Sequence, residues 1–213
     1  MGTIEALSLA MGTAWTSGIN LYATVAALGI ANLAQLIQLP PDLQVLSHPA
    51  VIGIACTMYV IEFFADKVPY VDSGWDILHT FIRVPAGAIL AARSLGNLNP
   101  ALELAALLAG GSIALAAHGM KATTRLAINA SPEPFSNWAA SVTEDLTVLG
   151  SIWMIFHHPI VMLILVVSFL SLMIWLVPKL FRLAKRGFQA LRSKFRGVKP
   201  DQPAPTGSSA QPT

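Results

Sequence analysis

Four groups of ionisable residues stand at helical spacings in an otherwise apolar chain. Glu62 and Asp66 are four apart, and Asp76, His79 and Arg83 fall at i, i+3 and i+7, on one face of a helix. His118, Lys121 and Arg125 repeat that spacing, and Glu144 and Asp145 are adjacent in a run holding Val142, Leu146 and Val148. Facing one another, such groups can pass protons, hold a cation or neutralise each other. In hydrocarbon each costs about 2.5 to 3.5 kcal/mol, so they turn toward a bundle interior or a water-filled cavity. A fifth feature, Thr16-Ser17-Gly18-Ile19-Asn20, is a polar, glycine-containing patch that can unwind, with Ser17 and Asn20 as candidate ligands for a solute or cation.

The elements that must position these groups follow from composition. The 213 residues are 54% hydrophobic and only 11% charged, against about 25% charged in an ordinary soluble domain. The expected class is an all-α membrane protein. Of the 13 Lys and Arg, eight follow Pro178, where Asp201 is the only acid; residues 1–178 hold five basic residues and ten acidic ones. The membrane part is therefore formally −5 and the tail +7. Basic charge directly after an apolar segment points to anionic lipid, and no nucleic-acid partner is expected. Cys56 is the single cysteine, so no internal disulfide can form. The first segment lacks the basic start of a cleavable signal peptide and is expected to be retained.

A membrane-crossing helix needs about 20 apolar residues. Six spans are expected, over residues 7–29, 49–66, 75–92, 101–120, 136–156 and 160–180, within a transmembrane domain of residues 1–180. Pro85 after Arg83 offers a second arrangement, in which span three is broken or re-entrant. The basic tail places the end of span six in the cytoplasm; counting back puts Lys67, Lys121, Arg125 and both termini on that side of an inner membrane. Arg93 disagrees and must snorkel outward. Phe181, Ala184, Phe188, Leu191 and Phe195 recur at spacings of three and four, which predicts an amphipathic interfacial helix over residues 181–199. Residues 200–213 should be disordered.

Ser47-His48-Pro49 and Val68-Pro69 bracket span two much as His157-His158-Pro159 and Val177-Pro178 bracket span six. The match suggests an internal repeat of spans one and two with five and six; His-Pro is also an ordinary interfacial helix start. Under the six-span count the charged groups gather at cytoplasmic helix ends in one hydrated vestibule, where Arg83 and Lys121 can pair with Glu62, Asp66, Glu144 or Asp145. For Asp66, Lys67, Asp72 and Arg125 plain helix-holding ion pairs or solvation are the simpler expectation.

The strings Thr16 to Tyr22, Glu62 to Ser73 continuing through Trp75-Asp76 to Arg83, and Ser131-Pro132-Glu133-Pro134-Phe135-Ser136-Asn137-Trp138 followed by Glu144-Asp145 together resemble a bacterial integral-membrane family catalogued as domain of unknown function 4126. The resemblance covers about residues 6–182. It implies a multi-pass membrane protein and carries no activity with it.

Three function classes stay open. The first is a small transporter or channel for protons, cations or a small, cationic solute, with Glu144 or Asp145 as the carrying carboxylate. The second is an intramembrane enzyme acting on a lipid head group, with Asp76, His79, His118, Glu62 and Glu144 as acid-base or metal groups, although no recognised metal spacing occurs. The third is a non-catalytic scaffold, for which small-residue packing and the tail suffice. The transporter is preferred over the enzyme, no cofactor or metal is expected, and self-association into a homo-oligomer is compatible with any of them.

Overall fold

The computed structural model describes residues 1–129 and 134–196. Six α-helices make up the described chain: α1 (Thr3–Leu33), α2 (Pro49–Ala65), α3 (Pro69–Ser94), α4 (Pro100–Asn129), α5 (Pro134–His157) and α6 (Pro159–Arg196), with a short 3₁₀ segment, Pro41–Ser47, before α2. Five of the six α-helices begin on proline. Proline suits this position because its missing N–H is one the first turn leaves unpaired anyway. Side chains complete two of these starts: His48 Nδ1 accepts from the Ala50 N–H, and Asn99 Oδ1 accepts from the Leu102 N–H.

Met1–Ser171 form one compact unit. Its central element is α1, which packs against α2, α3, α4 and α5 and meets the first part of α6 through an edge-on contact between Trp15 and Phe169, 5.7 Å between ring centres. Six polar side chains along α1 turn inward: Ser8, Thr13, Thr16, Ser17, Asn20 and Thr24 are buried, while Thr3 and Glu5 at its start are exposed. Most of their hydroxyls return to the helix itself, as Thr13 to the Leu9 carbonyl (2.7 Å) and Ser17 to that of Ala14 (2.8 Å). Large apolar residues face outward instead, among them Phe81, Leu115, Leu126, Phe135 and Ile164. A soluble monomer does not expose so much contiguous apolar area; this is a surface for lipid.

Three helices are long and apolar enough to cross a membrane, Pro100–Asn129, Phe135–His157 and Pro159–Lys179, and the 3₁₀ segment with α2, bent by 63°, adds a fourth if counted as one span. The six crossings expected from sequence are not all met by this measure. α1 and α3 fall short because they carry the polar load, which faces inward, where hydropathy averaged along a helix cannot register it.

The larger departure is in α1. Asn20 has φ −147° and ψ 99°, an extended conformation inside the helix, so residues 3–19 and 21–33 are two separate half-helices. Their directions follow from their neighbours. The first half runs antiparallel to α5: Ser8 and Gly12 lie beside Ile155, and Asn20 beside Asp145. α2 also runs antiparallel to α5, since Tyr59 meets Asp145 and Lys67, just past its end, lies over the ring of Trp138. The second half of α1 runs antiparallel to α2, with Gly29 beside Ile52 and Asn20 near Tyr59 through their shared partner Asp145. The two halves therefore point in opposite directions. What reads as one continuous span over residues 7–29 is a re-entrant helical hairpin with Asn20 at its tip.

Two expectations change with it. The broken, re-entrant element is the first one, and α3 runs unbroken from Pro69 to Ser94 with Pro85 inside it. The start of α1, beside Ile155 and across a cavity from Leu95, lies at the end of the bundle opposite Lys67, so the N-terminus and Lys67 do not share a side. The match between the first two and last two segments reduces to two helices that start alike, at Pro49 and Pro159, after unlike partners, a hairpin in one case and the continuous α5 in the other.

The hairpin sits against α3 and α4 through small residues. A Cβ on Gly18 would come within 2.7 Å of Ala117 Cβ, and one on Gly87 within 2.7 Å of Ser17 Oγ. Glycine at these two positions lets the three backbones approach closely enough for the polar side chains around them to meet.

Leu172–Thr213 are a second unit. Its described part continues α6 as helix to Arg196, with Lys179 Nζ 3.3 Å from the ring centre of the exposed Trp175. Of the amphipathic face expected over 181–199, Phe181 is exposed; the side chains of Ala184, Phe188, Leu191 and Phe195, and the tail expected to be disordered over 200–213, lie outside the described residues, as do Ser131, Pro132 and Glu133.

Candidate functional site

The break in α1 opens onto a buried network of charge. Arg83 of α3 and Glu62 of α2 are both fully buried and directly paired. Lys121 of α4 reaches three carboxylates, Glu62 at 3.0 Å, Glu144 at 3.2 Å and Asp66 at 3.6 Å. Arg125, one helical turn later, grips Glu144 with two nitrogens at 2.9 Å each, and its Nη2 also donates to Asp66 (3.0 Å) and to Ser141 Oγ (2.9 Å). Such forked pairing is the geometry a planar guanidinium offers and an ammonium cannot.

Helix periodicity accounts for this assembly. Lys121 and Arg125, four apart, present one face of α4 to Glu62 and Asp66, four apart on α2. Asp76 and Arg83 lie two turns apart on α3, with Arg83 Nη1 at 3.9 Å from Asp76 Oδ1. His118 bridges them: its Nδ1 accepts from Arg83 Nη1 (3.1 Å), and its Nε2 lies 3.0 Å from the Asp76 carbonyl and 2.8 Å from Thr80 Oγ1. Those partners assign the proton to Nε2. His79 stands at the edge, its Nε2 3.1 Å from the Tyr22 hydroxyl and its Nδ1 turned to the Trp75 carbonyl.

The tip of the hairpin adds backbone groups. With the helix interrupted at Asn20, the Gly18 carbonyl accepts from Arg83 Nη1 (3.4 Å). Asn20 then does two things. Its Oδ1 accepts from the Ala23 N–H (3.0 Å), capping the second half-helix, and its Nδ2 donates to Asp145 Oδ1 (3.2 Å). Tyr59 donates to the other oxygen of Asp145 at 2.6 Å. Asp145 thus has two neutral donors and, among the described residues, no cation within ion-pair distance.

Of the residues singled out from sequence, Glu62, Asp66, Asp76, Arg83, His118, Lys121 and Glu144 meet in one network, His79 touches its edge, and Asn20 and Asp145 form a pair beside it. Ser17 does not join, because its hydroxyl is spent on the Ala14 carbonyl. Arg125, expected to be an ordinary interfacial partner, is 1% exposed and lies at the network's centre. The expected open vestibule is a closed cluster: Glu62, Arg83 and Lys121 are buried, and Glu62 Oε2 and Asp66 Oδ1 have no hydrogen-bond partner. Tyr59 and Ser141 were missed, since an uncharged side chain in an apolar run carries no signal in sequence of what it will face. Lys67 stays apart, its Nζ 3.7 Å from the centre of the Phe63 ring; burial there, ahead of any charge, pulls its ammonium below the usual lysine range.

A cavity of about 240 Å³ reaches Asp76, His118 and Arg125, and two larger ones flank the network. One, about 470 Å³, lies between α1, α4, α5 and Phe169 of α6, and reaches Lys121 and Glu144. The other, about 440 Å³, lies between the second half of α1, α2 and α5, and reaches Tyr59 and Asp145. Successive residues on α5 project about 100° apart, so Glu144 and Asp145 address different cavities. Among the described residues no group of three or more His, Cys, Asp or Glu is arranged to hold a metal ion.

No curated protein and no solved structure matches the chain. A family model does, over residues 7–179, a range that takes in the hairpin, the network and both cavities. The chain belongs to the family described as Domain of unknown function (DUF4126).

Proposed function

We propose that this protein is a small membrane transporter or channel for protons, cations or a small cationic solute, with the buried network as its charge-bearing element. The observation that carries the proposal is an imbalance. Six carboxylates, Glu62, Asp66, Asp72, Asp76, Glu144 and Asp145, lie at or beside a site where three cations, Arg83, Lys121 and Arg125, are within pairing distance of four of them. Asp72 is held by Asn129 and Asp145 by neutral donors. Uncompensated negative charge in a low dielectric is costly, which favours uptake of a proton or cation from outside.

The geometry also supplies a way to couple uptake to movement. Lys121 has three carboxylates within 3.6 Å, and discharging any one of them redistributes the other two. The affected groups lie on α2, α4 and α5, next to a helix already broken at Asn20, which can turn at the break without losing intact helical hydrogen bonds. Ligand binding to one arrangement then biases the equilibrium between two. Discontinuous helices meeting a charged site near mid-membrane are a recurring transporter device.

Orientation belongs to the same proposal. The end of the bundle holding Lys67 faces the cytoplasm by the distribution of Lys and Arg, as does the basic segment after Pro178, which is suited to anionic lipid of an inner membrane. The start of α1 then faces outward.

The test is flux of protons and monovalent cations in proteoliposomes. Lys121→Met and Glu144→Gln should each lower it about tenfold or more, because each breaks the exchange of partners. Wild-type flux in both variants contradicts the proposal, and flux absent from the wild-type protein for every cation offered favours a scaffold.

A further inference from the structure

The two cavities differ in what they lack. Glu144, at the end of the first, is already charge-paired by the forked Arg125 and by Lys121. Asp145, at the end of the second, meets only Tyr59 and Asn20. A carboxylate oxygen has two acceptor sites, so each oxygen of Asp145 retains one free. The wall of its cavity is otherwise Ala23, Ala26, Ala27, Ile30, Leu149 and their like, with Cys56.

That composition discriminates among cations. A sodium or calcium ion stripped of water needs about six oxygen ligands; the site offers at most four, the two oxygens of Asp145, the Tyr59 hydroxyl and the second acceptor site of the Asn20 amide oxygen, whose first is taken by the Ala23 N–H. A lone ammonium on an apolar body fits better. The body displaces nothing polar from an alanine-lined wall, the charge meets the unpaired carboxylate, and the Tyr59 ring adds a face for the cation. A cavity of about 440 Å³ lies within the ordinary size range for small organic ligands.

We propose that Asp145, with Tyr59 and Asn20, binds the ammonium group of a hydrophobic organic amine whose apolar body lies in the cavity between the second half of α1, α2 and α5. This rests on the transport reading of the region and names the substrate class for it. Binding places the fourth cation of the cluster next to Glu144 along α5, where it competes with Lys121 and Arg125 for the same field.

Equilibrium dialysis of labelled hexylammonium against the full chain in nanodiscs of zwitterionic lipid tests this directly, with hexanol as the neutral control. Saturable binding of one hexylammonium per chain is expected, at least about tenfold tighter than hexanol. Asp145→Asn, an isosteric change, should weaken it about tenfold or more, and Thr147→Val, in the other cavity, by less than about threefold. Leu149→Trp keeps the carboxylate and fills the cavity, and should abolish binding while leaving the melting temperature near wild type. Equal binding of hexanol, binding that survives Asp145→Asn, competition by potassium beyond its ionic-strength effect, or no saturable binding each overturns the assignment. Absent amine binding together with cation flux that needs Glu144 removes this inference and leaves the transport proposal standing; amine binding without any flux does the reverse.

Discussion

Arg83→Met should destabilise the protein by about 3 to 5 kcal/mol, the usual cost of removing one member of a buried ion pair. The guanidinium is fully buried and holds four things at once: the Glu62 carboxylate, the edge of Asp76, the imidazole of His118 and the Gly18 carbonyl freed by the break in α1. Methionine fills a similar volume, so the loss is electrostatic and not a cavity effect. Thermal unfolding in detergent measures it, and the double variant Arg83→Met with Glu62→Gln separates the causes. Removing the stranded carboxylate as well should recover a large part of the loss, since no unpaired charge then remains at position 62 and Lys121 keeps Asp66 and Glu144. If the double variant is no more stable than the single one, the pair is not the seat of the effect.

The second large effect is expected at Asn20. Asn20→Ala removes the cap on the Ala23 N–H, worth about 0.5 to 2 kcal/mol, and a donor to the charged Asp145, worth about 1.5 to 3 kcal/mol. A combined loss of about 2 to 5 kcal/mol follows by the same principles. Asn20→Asp keeps the cap but places a carboxylate opposite Asp145, and should be at least as damaging. Asn20→Ser restores a capping oxygen without the reach to Asp145, and should recover the smaller share. A ranking in which Ser is no better than Ala, read from the same melting curves, contradicts the role of Asn20 as a cap.

These two residues show how far the sequence can be read. The charged groups on α2, α3 and α4 meet because spacings of three, four and seven place them on single faces, and apolar flanks force those faces inward; that argument needs no coordinates. Helix starts were equally plain, because proline before an apolar run marks them. The patch from Thr16 to Asn20 stood out as a place where α1 could open. Its consequence did not, for a reversal of direction is decided by what the second half-helix packs against, and Ala23 to Leu33 would suit a continuing span as well as a returning one. Pro85 drew attention to the wrong helix: a proline inside a helix costs one hydrogen bond, which neighbouring helices can absorb. Arg125 was expected to make a plain helix-holding ion pair or to meet solvent; it makes the ion pair, folded back into the interior between Asp66 and Glu144. Tyr59 left no trace at all, since its role depends on a partner 86 residues away.

The same geometry explains why one chain of modest size can hold so much buried charge. The hairpin fills the centre of the bundle with hydroxyls and small side chains, most of which satisfy themselves, so Asn20, the Gly18 carbonyl and the Tyr22 hydroxyl are left to face the ionisable groups. Gly18 and Gly87 permit that close approach, and the charged side chains are long enough to meet behind it. Without the reversal at Asn20, the second half of α1 would carry on past the network, and neither the cavity at Asp145 nor the pairing of Asn20 with it would exist.

The hairpin is therefore the claim on which the rest depends, and one distance tests it. Spin labels at Ile4 and Leu33, both exposed, can be placed on the full chain in nanodiscs and their separation read by double electron–electron resonance. At 1.5 Å per residue a straight α1 would hold these positions about 43 Å apart, whereas two half-helices that fold back at Asn20 bring them to below about 30 Å. A distribution centred below that value is the predicted result. One centred above 40 Å would mean that α1 crosses in a single pass, and it would remove the broken helix from the account of the site.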